Sequence, residues 1–264
     1  MSKLPYANKI LGQHWLSDNN SLDTICSYAE LSKDDIVIEI GPGSGTLTKK
    51  LLDFGVRVTA FEIDKNLVNQ LKIKFASQIK DGSLTVILTD VRQFDFDSFK
   101  SDYKVVANIP YYLTSFLIRK LADSKNKPIV AVLLIQKEVA QRLIAIPGEM
   151  SLLSLSTQLN FTISAKEILP AYLFVPPPKV DSQIVVLKPY QTAIFSDINY
   201  QELIKFMTLA FIQKRKKIIN SMSIRFSRED ILNALLSLNL RQDIRPQDLS
   251  LDNWHKLYLF LMKI

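Results

Sequence analysis

Five short runs of apolar, largely β-branched residues occur at intervals through the first half of the chain, and each gap between them is long enough for a helix. Strands that are apolar on both faces and separated in this way are typical of a parallel sheet covered by helices on both sides. We therefore predict a doubly wound, Rossmann-like α/β fold. The five predicted strands are 36–40, 56–61, 84–88, 104–107 and 129–135.

The pattern changes in the second half of the chain. Residues 158–168 and 183–187 alternate polar and apolar side chains on either side of the stiff Pro176-Pro177-Pro178 segment. Alternation of this kind is typical of half-buried strands, so we predict an antiparallel pair at the end of the sheet. Beyond these strands the apolar residues recur only at helical spacing. We predict two domains, 1–190 with the sheet and 191–264 as a small all-helical domain.

Composition narrows the class of protein. The net charge of +7 indicates an anionic partner, and a nucleic acid, an acidic membrane surface and an acidic protein all remain open. The longest aliphatic run, 129–135, is far shorter than the ~20 residues of a membrane helix, and the N-terminus has no apolar signal core. We expect a cytoplasmic protein with no membrane partner. The single cysteine, Cys26, lies at helical spacing from Leu22 and Ile25, so we interpret it as a core residue rather than a nucleophile.

Glycines and polar residues follow four of the predicted strands. In a doubly wound sheet, ligands bind beyond the carboxyl ends of the strands. The interval from Gly41 to Glu62 matches the ~20 residues that place a carboxylate against ribose hydroxyls. These positions predict a nucleotide-like cofactor. The candidates are Gly41, Gly43, Gly45, Glu62, Asp90 and the motif Asn108-Ile109-Pro110-Tyr111.

The spacing of the glycines argues against a phosphate-containing cofactor. The third glycine comes one residue too early for the dinucleotide fingerprint, and no Lys–Ser/Thr pair completes a phosphate-binding loop. An adenosine cofactor without phosphate fits better, and the positive sulfonium of S-adenosyl-L-methionine suits a site with Glu62, Asp64 and Asp90. A dehydrogenase remains an alternative, although it needs an acid or base and the chain has only two histidines, His14 and His255.

The strand-end motif Asn108-Ile109-Pro110-Tyr111 resembles that of amino-methylating adenine methyltransferases. Five further segments are similar to the ribosomal RNA small-subunit adenine dimethyltransferase family and extend from residue 11 to about residue 250. Residues 148–152 lack the Tyr-Gly-Arg that is usual in the family, but they touch no matched cofactor position. The matching segments are 11–16, 39–43, 136–142, 174–182 and 245–246.

The resemblance implies a class I methyltransferase that uses S-adenosyl-L-methionine and no metal. His14 and Leu16 would border the methionine end of the cofactor, and Gly41 would approach it through the backbone. Glu62 would hold the ribose and Asp90 the adenine amino group. The cofactor-binding positions implied are His14, Leu16, Gly41, Gly43, Glu62, Asp90 and Asn108.

Methylation of an exocyclic adenine nitrogen requires orientation of its lone pair, which is delocalised into the ring. The Asn108 oxygen and a backbone carbonyl of Ile109 or Pro110 can accept the two amino protons, while Pro110 fixes the turn. A base that has left its stack must be held by its face, so we predict that Tyr111 and Phe174 contact it. We expect Tyr112 only to pack nearby.

Four consecutive cations, Lys214, Arg215, Lys216 and Lys217, fall within a predicted helix that also includes buried-looking Ala210 and Ile219. Cations around most of a helix circumference indicate phosphate contacts, and a solvated helix surface is the alternative.

The family resemblance implies a substrate as well. It implies dimethylation of two adjacent adenines in the 3′-terminal hairpin loop of 16S rRNA within the immature small ribosomal subunit, by a monomeric enzyme. Two alternatives remain open at this point. One is a large-subunit rRNA adenine methyltransferase of the macrolide-resistance type, and the other is a ribosome-assembly factor that acts mainly by binding.

Overall fold

The computed structural model describes residues 12–213 and 215–263. The strands are β1 (Trp15–Leu16), β2 (Ile36–Ile40), β3 (Arg57–Glu62), β4 (Leu84–Leu88), β5 (Lys104–Asn108), β6 (Ala131–Gln136), β7 (Phe161–Leu169), β8 (Phe174–Val175) and β9 (Ser182–Pro189). The helices are α1 (Asn19–Tyr28), α2 (Thr46–Asp53), α3 (Lys65–Lys74), α4 (Ala76–Lys80), α5 (Thr114–Asp123), α6 (Lys137–Leu143), α7 (Leu152–Gln158), α8 (Tyr200–Phe211), α9 (Ile218–Met222), α10 (Arg228–Ser237) and α11 (Leu251–Met262).

A seven-stranded sheet in the order β4-β3-β2-β5-β6-β9-β7 forms the centre of the first half of the chain. Strands β2 to β6 pair in parallel, which confirms the predicted doubly wound fold. The chain passes from β2 outward to β3 and β4 and then returns to place β5 on the other side of β2. The carboxyl ends of β2 and β5 therefore flank the topological switch point, where a ligand is expected.

The far end of the sheet contains antiparallel pairing, as predicted. Strand β9 runs antiparallel to β6 from Ala131↔Leu187 to Gln136↔Ser182, and β7 lies beyond it at the edge. The predicted start of β7 at residue 158 is wrong, because Gln158 ends helix α7 and its amide donates to two backbone carbonyls of the preceding segment. A second, two-stranded sheet pairs β1 with β8 and was not predicted.

The described residues form two compact units. The first contains the described residues up to Ala140 together with Thr162–Pro189, and the second contains Gln141–Phe161 together with the described residues from Tyr190 onward. The predicted division at residue 190 assigned 141–161 to the sheet domain. These residues instead join the helical unit because Leu155 and Leu159 are buried in its apolar cluster.

The basic segment 214–217 is not helical where the structure describes it, so the predicted helix is wrong. Helix α8 ends at Phe211, α9 begins at Ile218, and Arg215 and Lys216 lie in the turn between them. In one continuous helix, Ala210 and Ile219 would lie on faces ~180° apart. The turn allows both side chains to be buried in the same cluster. Lys214 lies outside the described residues.

Cys26 is buried in the core of the sheet unit, where burial raises the pKa of its thiol to about 12. This confirms its interpretation as a core residue rather than a nucleophile, since the thiolate is the reactive form. Among the described helices, none has the length and apolar character needed to cross a bilayer.

Candidate active site

One cavity opens at the carboxyl ends of β2 and β5, at the switch point of the sheet. It encloses about 880 Å³ of space, counting its open mouth. Segment 12–16, the glycine turn after β2 and the motif after β5 form its walls. Nine of the predicted site residues line it, and Asp90 does not. The nine are His14, Leu16, Gly41, Gly43, Glu62, Asn108, Pro110, Tyr111 and Phe174.

The three glycines after β2 all adopt left-handed backbone conformations, with φ of +68°, +56° and +75° for Gly41, Gly43 and Gly45. A Cβ on Gly43 would lie 2.1 Å from the Trp15 ring, and one on Gly45 would lie 2.6 Å from the Phe75 ring. Glycine is therefore required at both positions by close packing of the chain against itself as well as by φ. The backbone of the turn therefore lies close against the Trp15 and Phe75 rings.

Glu62 ends β3 with its side chain only 5% exposed. Its Oε1 accepts the backbone N–H groups of Ile63 and Asp64, both at 2.9 Å, and its Oε2 accepts that of Gly43 at 3.2 Å. Burial raises the pKa of this carboxyl, and the three backbone donors partly oppose that effect. A carboxylate has about four acceptor sites, so Glu62 keeps capacity for one more donor from the cavity.

Asp90 follows β4, but its carboxylate pairs with Arg92 and does not line the cavity. Its carboxylate accepts the backbone N–H of Arg92 at 2.9 Å and pairs with the Arg92 guanidinium, whose closest contact is 2.5 Å. Hydrogen bonding to Arg92 lowers the pKa of Asp90. Its neighbours Thr89 and Val91 line the cavity. The assignment of Asp90 to the cofactor remains a prediction, and it would require the carboxylate to share or leave its contact with Arg92.

The side chain of Asn108 is fixed by one hydrogen bond. Its Nδ2 donates to the backbone oxygen of His14 at 3.2 Å. Because a carbonyl can only accept, this bond assigns the amide nitrogen to the His14 side, and Oδ1 has no hydrogen-bond donor among the described residues. The His14 ring is itself held by a 2.8 Å contact from Nδ1 to the Pro176 oxygen.

Aromatic residues line the same cavity as Asn108. The Tyr111 ring stacks on the His14 ring with centroids 5.7 Å apart, and its hydroxyl lies 3.0 Å from the Ser182 hydroxyl. Phe174 lines the cavity but is 2% exposed, because its side chain packs in the core cluster of the sheet unit. Tyr112, for which the sequence suggested packing alone, is 51% exposed and also lines the cavity.

Glu39 is a site residue to which the sequence reasoning gave no role. It lies in the middle of β2, is 1% exposed and lines the cavity. Its Oε2 accepts the Thr48 hydroxyl at 2.6 Å, and burial raises its pKa to about 8. A glutamate inside an otherwise apolar strand is the signal that could have identified it.

The predicted RNA-binding residues lie in the helical unit. Arg215, Lys216 and Lys217 are exposed and pair with no acidic residue among those described. His255, the second histidine, belongs to the same unit and contacts Asp197 at 2.9 Å. Within the described residues, no group of three or more His, Cys, Asp or Glu side chains is arranged to hold a metal ion.

Comparison with known proteins agrees with this architecture. The model of the family described as ribosomal RNA adenine dimethylase matches residues 6–263. This chain belongs to that family. It is 35% identical over 258 residues to a ribosomal RNA small subunit methyltransferase A of Dehalococcoides mccartyi, covering 96% of this chain and 88% of the relative. The corresponding protein of Prochlorococcus marinus is 36% identical, with 94% and 89% coverage.

Two solved methyltransferase structures share the fold along most of their length. A dimethyladenosine transferase from Plasmodium falciparum has a TM-score of 0.79 and 29% identity, covering 95% of this chain and 98% of that one. The 23S rRNA methyltransferase ErmE has a TM-score of 0.74 and 25% identity, covering 94% and 99%. The cavity at the switch point is therefore that of a methyltransferase-type sheet.

Proposed function

We propose that this protein dimethylates the N6 amino groups of two adjacent adenines in the 3′-terminal hairpin loop of 16S rRNA, with S-adenosyl-L-methionine as the methyl donor. The substrate is rRNA within the immature small ribosomal subunit. The observation that carries the proposal is the orientation of Asn108 at the wall of the cavity, with Nδ2 bound to His14 and Oδ1 free. The names of the curated relatives support the small-subunit substrate.

The residues of the cavity fit this cofactor. The buried carboxyl of Glu62 has acceptor capacity left for a ribose hydroxyl. The glycine turn brings backbone to the cavity wall, where side chains would obstruct a ligand. When bound, the cofactor supplies an electrophilic methyl group. The residues that would hold it are His14, Leu16, Gly41, Gly43, Glu62, Asp90 and Asn108.

Asn108 orients the amine of the target base. Its Oδ1 accepts one amino proton, and a backbone carbonyl of the Ile109-Pro110 segment accepts the other. The Pro110 carbonyl already accepts the Leu113 N–H at 2.9 Å, which leaves Ile109 as the less encumbered acceptor. Both acceptors favour a pyramidal nitrogen whose lone pair points away from them. The amine becomes acidic only as the methyl group arrives, so orientation supplies most of the rate gain and no strong general base is needed.

Tyr111 and Phe174 hold the face of the flipped base. Stacking contributes ~1–3 kcal/mol per base, which offsets the cost of unstacking an adenine in an RNA loop. The Tyr111 ring is braced by His14 on one side, and its hydroxyl is fixed by Ser182. Phe174 lines the cavity but is buried in the core cluster of the sheet unit, so it offers the base only a small part of its ring.

A large-subunit target is less well supported. The solved 23S rRNA methyltransferase shares the fold at 25% identity, whereas the relatives named small subunit methyltransferase A reach 35–36% identity over nearly the whole chain. Cations 214–217 serve either target, because phosphate contacts carry no sequence information.

The test is to incubate the protein with labelled S-adenosylmethionine and small ribosomal subunits that lack this methylation, and then to map the labelled bases. We expect two methyl groups on each of two adjacent adenines. Mature subunits and unmethylated large subunits serve as controls that should accept no label. Label in large subunits alone would support the alternative target, and absence of label in adenine would reject the enzyme.

A further inference from the structure

Glu39 places a carboxyl group in an otherwise apolar part of the cavity wall. It is buried in the middle of β2 and lines the cavity beside Ile40 and Leu47. Its Oε2 accepts the Thr48 hydroxyl at 2.6 Å, and among the described residues no cation lies within ion-pair distance of the carboxyl. A buried carboxyl with a neutral partner and no opposite charge is most stable with its proton bound.

The charged and titratable groups that face Glu39 come from three other elements. Glu62 at the end of β3 contributes a negative charge, and Lys74 at the end of α3 contributes a positive one. The Lys74 Nζ donates to the Ser44 carbonyl at 2.8 Å, so this cation supports the glycine turn instead of pairing with Glu39. Cys26 in α1 also faces Glu39, but its thiol is neutral because its pKa is about 12. Burial outweighs these neighbours and raises the pKa of Glu39 to about 8.

Glu62 is the other carboxyl on the cavity wall, and it is held differently. Three backbone N–H groups donate to its oxygens, whereas Glu39 accepts hydrogen bonds from Thr48 alone among the described residues. Donated hydrogen bonds stabilise the charged form of a carboxyl. When the two carboxyls hold one proton between them, it therefore resides mainly on Glu39. The remaining titratable side chains on the described cavity wall are His14, Tyr111 and Tyr112.

We propose that Glu39 distinguishes the cationic methyl donor from its neutral product. S-adenosyl-L-methionine carries one more positive charge than S-adenosylhomocysteine, because the donor is a sulfonium and the product a thioether. Glu39 releases its proton to bulk water when the donor binds, since a carboxylate and a cation stabilise each other strongly in a site of low dielectric. Methyl transfer leaves the thioether and releases one proton from the amine, and Glu39 then takes up a proton from water. The inference rests on the proposed function, since it concerns the cofactor of the same site.

Proton release makes the affinity for the donor depend on pH. Release of one proton on binding lowers Kd by up to ~10-fold for each unit of increase in pH. This dependence ends near pH 8, where Glu39 of the free protein has itself ionised. Binding of the product releases no proton from Glu39 and lacks the dependence. The preference for donor over product therefore grows between pH ~6 and 8.

The experiment counts the protons released when each ligand binds to the full-length protein. Titration calorimetry at pH ~7 in HEPES, PIPES and Tris gives this number from the dependence of the binding enthalpy on the ionisation enthalpy of the buffer. Glu39→Gln keeps the shape of the side chain without its proton, and Thr48→Val removes the hydroxyl that donates to it. The control is Glu167→Gln, which removes an exposed carboxylate of the same unit that accepts the Tyr28 hydroxyl. Circular dichroism and thermal unfolding establish that each variant is folded.

We expect the wild type to release ~0.5–1 proton more on binding the donor than on binding the product. Glu39→Gln should abolish this difference and raise Kd for the donor about tenfold at pH ~8, while Kd for the product changes less than about twofold. Protons exchanged by the amino group of the ligand persist in this variant and are thereby separated from those of Glu39. Thr48→Val should raise Kd for the donor several-fold, because the carboxylate loses a hydrogen bond. Glu167→Gln should match the wild type.

Equal proton release with the two ligands, or the same release in the wild type and in Glu39→Gln, would overturn the proposal. Donor binding without a proton from Glu39 would reject this inference alone, and methylation of small subunits by the wild type would still support the proposed function. Failure of both ligands to bind would reject the proposed cofactor and this inference with it.

Discussion

Asn108 is the residue on which the proposed chemistry depends most directly. Its Nδ2 donates to the His14 carbonyl, and the residue lines the cavity. We expect Asn108→Ala to reduce methyl transfer at least ~10²-fold, because the loss of orientation acts in the transition state. Cofactor affinity should change less than about threefold. Rate measurements with unmethylated subunits and calorimetric titration with S-adenosylmethionine separate the two effects.

Asn108→Asp is the matched control for this residue. It keeps an acceptor oxygen but loses the N–H that donates to the His14 carbonyl, and two acceptors then face each other. We expect an activity between those of the wild type and Asn108→Ala. Comparable losses of cofactor affinity and of rate in the alanine variant would assign Asn108 to cofactor binding instead of base orientation.

Glu39 makes the stability of the sheet unit depend on pH. Burial raises its pKa to about 8, and the groups near it are the Thr48 hydroxyl, Glu62 and Lys74. Between pH ~4.5 and 8 the unfolded chain has released this proton while the folded chain keeps it, so the free energy of unfolding falls as pH rises. The ionisation of Glu39 changes the free energy of unfolding by up to ~1.4 kcal/mol per pH unit.

We expect Glu39→Gln to remove most of this slope, because glutamine keeps the shape and remains neutral. Urea unfolding of the wild type and the variant at several pH values from 5.5 to 8.5 gives the two slopes. The free energy of unfolding of the variant should increase relative to that of the wild type as pH rises. This difference should level off above pH 8. Parallel slopes would show that Glu39 ionises normally in the folded chain.

At the scale of elements, the glycine turn after β2 can be tested against a neutral reference. Gly43 and Gly82 both have left-handed φ, +56° and +82°, but a Cβ on Gly43 would meet the Trp15 ring at 2.1 Å while one on Gly82 would meet nothing within 4 Å. We expect Gly82→Ala to cost ~1–2 kcal/mol from backbone strain alone. Gly43→Ala should cost ~1–3 kcal/mol more, because the ring must move.

Urea unfolding measures both costs. Since Trp15 belongs to β1 and lines the cavity, Gly43→Ala should also weaken cofactor binding, whereas Gly82→Ala should not. Equal stability losses would mean that the Trp15 ring yields without cost and that only φ matters at the turn.

Elements set by local pattern were predictable, and those set by distant contacts were not. The apolar runs at β2 and β4 predicted the bounds of both strands, although only β2 is buried along most of its length and β4 lies at the edge of the sheet. The pairing of Leu16 with Phe174 joins segments about 160 residues apart and has no local signature. The turn that contains Arg215 and Lys216 has a helical pattern on both sides, and only the burial of Ile218 and Ile219 against the rest of the cluster decides against a continuous helix.

The same distinction applies to the candidate site. Gly41, Glu62 and Asn108 were found because strand ends in a doubly wound sheet converge, which is a property of topology. The contact between Asp90 and Arg92 and the burial of Glu39 depend on side-chain packing, which spacing does not encode. The sequence therefore located the cavity but did not describe its electrostatics.

At the scale of the whole molecule, the units do not follow a single cut in the chain. Residues 141–161 interrupt the sheet unit in sequence and belong to the helical unit in space. Leu155 and Leu159 share an apolar cluster with Trp254, nearly 100 residues later. A single boundary near residue 190 leaves residues 141–161 out of the helical unit. Composition does not correct this, because α7 has the same local pattern as a crossover helix.

The net charge of +7 is a property of the whole chain, and its placement can be tested by charge-matched variants. We expect alanine at all four positions 214–217 to weaken binding to unmethylated small subunits and to lower the salt slope by about three to four, since each phosphate contact contributes ~0.9. A control with alanine at Lys49, Lys205, Arg241 and Lys256 lowers the net charge by the same four units. It removes exposed cations that are already paired with acidic residues. If both variants reduce the salt slope equally, the net charge of the molecule attracts the RNA. The segment 214–217 then has no special part in binding. A larger effect at 214–217 would locate the phosphate contacts there, because the control changes the charge of the molecule to the same extent.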